Sequence, residues 1–180
     1  MKKFKLTKIL SLALATVIAF TAFSFNSLAA SRANEYKRDL TDEEIQTIYT
    51  MFDAEYYAKT YRDVVDTLGT DDAATMFSHF INSGIWEERQ PSAVFNVDVY
   101  ATRNVDLRSE YGDDIIAYYM YYATHEKEQT WRVTPTLADA YAHASTIYSV
   151  YDLVKGSTTE VKAGAWPIQT ATYAPNLGIK

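Results

Sequence analysis

The chain contains no cysteine, so no disulfide can staple it and no thioether can carry a lipid. Its stability must come from buried apolar surface. Proline and glycine are scarce, at 4 and 6 of 180 residues, which excludes collagen-like and low-complexity designs. Histidine is limited to His79, His125 and His143. Without cysteine or a His-Glu-x-x-His spacing the chain offers no metal-ligand motif, and no cofactor signature is present. A nucleophile elbow and a P-loop are also missing. A long apolar run occurs once, at Ile9–Phe23, and it is shorter than the roughly 20 residues that cross a bilayer.

That run sits between a basic start, Met1–Lys8, and the small-residue stretch Asn26-Ser27-Leu28-Ala29-Ala30. Basic, apolar and small segments in this order make an export signal, with cleavage expected after Ala29 or, alternatively, after Ala30. Residues 1–29 are thus expected to be a signal peptide, the only part expected to touch a membrane. Cleavage removes Lys2, Lys3, Lys5 and Lys8 and no acidic residue, leaving 13 basic against 23 acidic and moving the net charge from -6 to -10. So acidic a protein repels nucleic acid and anionic headgroups. Neither is an expected partner. The sequence shows no hydrophobic tail or wall-sorting motif at its end, so a secreted chain of Gram-positive type, free or loosely associated with the wall, is expected.

What the chain has in quantity is tyrosine, 15 residues, all of them beyond the leader. Nine of them fall within an internal repeat. Phe52-Asp53-Ala54-Glu55-Tyr56-Tyr57-Ala58 recurs as Phe95-Asn96-Val97-Asp98-Val99-Tyr100-Ala101, an offset of 43 that also aligns Asp63 with Asp106 and Gly69 with Gly112. After one deletion Asp71-Asp72 aligns with Asp113-Asp114 and His79-Phe80 with Tyr121-Tyr122. Asp53 and Asn96 are placed to cap short helices, Gly69 and Gly112 to end the following ones in a left-handed residue. Ala73, Met76, Phe77, Phe80 and Ile81, and in the second copy Ile115, Tyr118, Tyr119 and Tyr122, recur at helical spacing as core-facing stripes.

Two further helices flank the pair. Thr41-Asp42-Glu43-Glu44 is a capping box that opens a helix towards Met51. Thr134-Pro135-Thr136 opens a helix with the stripe Leu137, Tyr141, Ala144, Tyr148, Tyr151 and a stop at Gly156. The expected fold is all-α. Modules at 52–92 and 95–132 lie between capping helices at about 42–51 and 135–155, after a linker at 30–40 and before an irregular tail at 157–180 that holds at most a short strand around Glu160–Ala163.

The motif Phe52-Asp53-x-x-Tyr56-Tyr57, then Asp63-Val64, then Gly84-x-x-Glu87-x-Arg89, resembles a short tandem module of secreted and cell-surface proteins of Gram-positive bacteria. The second copy matches its front half and departs at the end, with His125-Glu126-Lys127-Glu128-Gln129-Thr130-Trp131-Arg132 in place of Gly-x-x-Glu-x-Arg. The resemblance implies a non-catalytic helical module, with no ligand transferred.

Four residues are candidate ligand contacts. In the run Tyr118-Tyr119-Met120-Tyr121-Tyr122, three tyrosines can share a buried stripe, which leaves Tyr121 nearer the surface, in the slot that His79 fills in the first copy. Trp86 and Trp131 sit at the module ends, either as caps over helix ends or as rings presented to a glycan or peptide. Trp166 is expected to dock back on the body. The pairs Asp71-Asp72 and Asp113-Asp114 read as helix caps, since the alternating oxygens of a calcium loop are missing. Glu87, Glu88, Glu126 and Glu128 are the carboxylates a glycan hydrolase would use, but charged neighbours offer no apolar pocket to raise a catalytic pKa. No catalytic residue is assigned. The expected function is binding or scaffolding at the bacterial exterior, with cell-wall polysaccharide or a secreted or surface protein as partner. The alternatives are a secreted wall hydrolase and a self-assembling surface protein.

Overall fold

The computed structural model describes residues 28–158 and 160–170. The expected signal peptide falls almost entirely outside them. The described chain is mostly helical, with nine α-helices and one small sheet. It forms two compact units, one ending at Ser92 and one starting at Ala93.

In the first unit α1 (Leu28–Tyr36) precedes α2 (Asp42–Tyr49), so the expected linker at 30–40 is largely helical. Ala, Arg and Glu in its sequence are good helix formers, and Ala33 is buried. The capping box of α2 forms as its spacing predicts. The Glu44 N–H donates to Thr41 Oγ1 at 3.2 Å and the Thr41 N–H to Glu44 Oε2 at 2.8 Å. Arg38 also grips Glu44, and that hydrogen bond holds the Glu44 carboxyl below its ordinary range.

α3 (Ala54–Thr60) starts where Asp53 accepts from the Tyr56 N–H at 3.0 Å. α4 (Arg62–Leu68) ends at Gly69, whose φ of 68° and ψ of 18° are those of a left-handed cap. α5 (Ala73–His79) is capped by Asp72 and runs on into a π-helical turn, Phe80–Gly84. A Cβ on Gly84 would collide with Tyr57 Oη, so this wider turn brings backbone against a buried phenol where no side chain fits. Tyr57, Met76, Phe77 and Phe80 form the core with Ile48, Val64 and Ile85. Phe52 and Phe80 stack at 5.3 Å.

In the second unit Asn96 caps α6 (Val97–Arg103), accepting from the Val99 N–H at 2.9 Å. α7 (Val105–Tyr111) stops at Gly112 and Asp114 caps α8 (Ile115–Thr124). Gly112 departs from the expected left-handed cap. Its φ is 57° but its ψ is -116°. Tyr100, Tyr118, Tyr119 and Phe95 are fully buried.

The expected helix at 135–155 is corrected. α9 covers only Leu137–Ala142, after which Ala144 turns the chain at a φ of 49° and Thr146–Tyr148 forms β1. Tyr148 and Tyr151 matched the helical stripe, but β-branched Thr146, Ile147 and Val150 favour extended backbone. α6 supplies partners for it. The Tyr148 N–H donates to Thr102 Oγ1 at 3.2 Å, and the Val150 N–H to Asp98 Oδ1 at 2.8 Å. The tail is also more regular than expected. Pro167–Thr170 forms β2, antiparallel to β1, pairing Thr146 with Thr170 and Ile147 with Gln169. The strand sought around Glu160–Ala163 reduces to one bridge between Leu153 and Val161.

Candidate functional site

Each unit is tied by an arginine near the end of its repeated segment. In the first, Arg89 donates from Nη1 and Nη2 to both oxygens of Asp63, at 3.1 and 2.8 Å, and from Nε to Glu87 at 2.6 Å. Its Cζ lies 4.9 Å from the centre of the Tyr61 ring, and the Tyr61 hydroxyl accepts the Gln90 N–H at 2.6 Å. The backbone closes beside it: the Asp53 N–H donates to the Pro91 carbonyl at 2.9 Å. Burial opposes charge on Arg89, but the hydrogen bonds to Asp63 and Glu87 outweigh it and raise its pKa further. Asp63 is held low by the same bond.

In the second unit Arg132 takes this role. It grips Asp106 at 3.1 and 2.8 Å, reaches Asn104 Oδ1 at 3.2 Å, and donates to the Tyr121 hydroxyl at 3.0 Å. Here too the backbone closes, from the Asn96 N–H to the Pro135 carbonyl at 2.7 Å. Arg132 therefore stands to Asp106 as Arg89 stands to Asp63, at the same offset of 43. The lost Gly-x-x-Glu spacing hid it in the sequence. The offset that aligned Asp63 with Asp106 was the signal that could have found it.

The four expected contact residues separate into two pairs. His79 and Trp86 are core residues, at 8% and 2% exposure, and are withdrawn as ligand contacts. The His79 Nδ1 and Tyr57 hydroxyl lie 3.0 Å apart. Burial lowers the His79 pKa to about 4, helped by the charge on Arg89 and opposed by Glu87 and Asp63. Tyr121 and Trp131 are brought together by Arg132. The guanidinium carbon lies 5.0 Å from the Tyr121 ring centre and 4.8 Å from that of Trp131. Trp131 is 67% exposed, whereas the Arg132 side chain is 4% exposed. His125 stacks on Tyr121 at 4.0 Å, nearly parallel.

Glu128 completes the cluster. It accepts from the Tyr121 hydroxyl, which holds its carboxyl below the ordinary range and pushes the Tyr121 phenol up. Trp166, expected to dock on the body, is instead 82% exposed. Its neighbours form the edge strand β2, which leaves the indole outside the core. Among the described residues no group of carboxylates and histidines is arranged to hold a metal ion, and no helix is long and apolar enough to cross a membrane.

The arrangement fixes a charged planar group under an outward-facing indole. A ring backed in this way is an ordered apolar surface with little conformational entropy left to lose on binding. Comparison with family models, curated proteins and solved structures finds no match for this chain.

Proposed function

We propose that this chain is an exported, non-catalytic binding protein whose second unit contacts polysaccharide at the bacterial exterior through Trp131. The observation that carries this reading is the two-thirds exposed indole seated on an arginine that is itself anchored at Asp106. Indole faces stack on the apolar faces of sugar rings, and a preformed platform binds without a prior ordering cost. The two units are read as tandem copies of one helical module. The parallel Arg89–Asp63 and Arg132–Asp106 clamps support this, as do the paired backbone closures. The second copy carries the binding surface, and the first serves as its structural companion.

The carboxylates favour binding over hydrolysis. Glu87 is engaged by Arg89, and Glu128 is held low, the reverse of what a general acid near neutral pH requires.

Co-sedimentation with purified insoluble wall polysaccharide tests the reading. The Trp131→Ala variant is expected to lose roughly five- to hundredfold in affinity, on the scale of the ~1–3 kcal/mol that stacking on an aromatic side chain gives a nucleic-acid base. Trp166→Ala, a control at a still more exposed indole, is expected to bind as the parent does. Undiminished retention of the Trp131 variant would overturn it.

A further inference from the structure

The two arginine clamps differ at one atom. In the first unit Glu87, two residues before Arg89, accepts from Nε at 2.6 Å. In the second unit the residue two before Arg132 is Thr130, which donates its hydroxyl to the Lys127 carbonyl. Arg132 Nε is buried, and among the described residues nothing accepts from it. A buried donor without an acceptor is costly to leave unmade, and this one belongs to the guanidinium on which the exposed indole rests.

Resting on the polysaccharide reading above, we infer that the second unit selects sugars bearing an acetamido group, whose carbonyl accepts from Arg132 Nε while its methyl and the sugar ring lie on Trp131. The donor inventory sets the ligand chemistry. Nε–H donates and cannot accept, which matches a carbonyl better than a hydroxyl that must also place its own proton. A carboxylate is disfavoured, because Arg132 already faces Asp106 at 2.8 Å and Glu128 at 3.4 Å. A third negative charge would meet both. Reaching the buried Nε requires Trp131 to shift from its place over the guanidinium, a step that ring stacking alone does not need, while Asp106, Asn104 and Tyr121 keep the guanidinium in place.

The probe is a soluble β-1,4-linked tetramer of N-acetylglucosamine, set against the glucose tetramer, the deacetylated glucosamine tetramer and a polyuronate. Binding is followed by tryptophan emission and by the ¹⁵N resonance of Arg132 Nε. The acetylated tetramer is expected to bind about tenfold tighter than the glucose tetramer, the factor that one charge-assisted hydrogen bond supplies, and to shift the Nε resonance. Thr130→Glu, which places in the second unit the carboxylate that Glu87 provides in the first, is expected to erase that preference.

Equal binding of the two neutral tetramers, with loss of both in Trp131→Ala, would overturn the acetamido inference and leave the stacking reading standing. No binding of any sugar would overturn both. An Nε resonance unmoved by bound acetylated tetramer would overturn the inference without any variant, as would tightest binding of the polyuronate.

Discussion

Gly112→Ala is expected to destabilise the second unit by about 3–5 kcal/mol, close to the whole stability of a small domain. Two separate costs combine. With φ at 57° and ψ at -116° the backbone lies outside every region that an L-residue adopts readily. A Cβ there would also stand 2.6 Å from the Lys155 nitrogen and 2.7 Å from its Cα. Those are backbone atoms, and they cannot swing aside as a side chain would. The Lys155–Gly156 segment is in turn pinned, because the Gly156 N–H donates to the Ser109 carbonyl at 2.8 Å.

Gly69→Ala supplies the control. Its φ of 68° is an ordinary left-handed value, and nothing lies within 4 Å of its missing Cβ, so a cost of about 1 kcal/mol is expected. Urea unfolding followed by tryptophan emission separates the two. Trp86 reports on the first unit, and Trp131 and Trp166 on the second. Equal midpoint shifts for the two alanine variants would refute the account of Gly112.

The first unit is expected to lose roughly 3 kcal/mol between pH 7 and pH 4 through His79 alone. Burial lowers this histidine from 6.5 to about 4 in the folded unit, so the unfolded chain takes up the proton first. Its contribution is full above the unfolded value, falls as the pH drops through the window from 6.5 to 4, and is gone below it. The carboxylates work in a lower window. Asp63 and Glu44 are held below the ordinary carboxylate values by arginine, so their contributions persist above those values and fade beneath them. His79→Gln keeps an acceptor near the Tyr57 hydroxyl and removes the titration. Its unfolding midpoint, read from Trp86, should stay nearly flat from pH 6.5 to 4.5 while the parent's declines. Parallel declines would show that another group drives the acid sensitivity.

The sequence makes the helices legible where a side chain acts on its own backbone. Asp53, Asn96, Asp72, Asp114 and the Thr41–Glu44 box all cap helices as their spacing predicts, because capping is decided within a few residues. Long-range partners decide the rest. Thr146–Tyr148 becomes a strand because Thr102 and β2 meet its backbone, with Asp98 holding Val150 just beyond it, and none of these is visible in the local period. His79 and Tyr121 occupy matching slots, yet one is buried and the other half-buried beside an arginine. Trp86 and Trp131 both lie near the ends of the repeated segments, three residues and one residue before the clamping arginine, and end up buried and exposed. An aromatic residue near a repeat's end is suited to either place, and its local spacing does not say which.

The backbone closures bear on how such a chain could have grown. A residue at the start of each repeated stretch donates its own N–H to a carbonyl at or just past the stretch's end, Asp53 to Pro91 and Asn96 to Pro135, so entry and exit are neighbours in space. Only Ser92–Phe95 separates one exit from the next entry. A gene duplication that copies this stretch meets no topological penalty, because a new copy can be spliced in at a point where the chain already passes close to itself. The same juxtaposition makes each segment a natural subject for circular permutation.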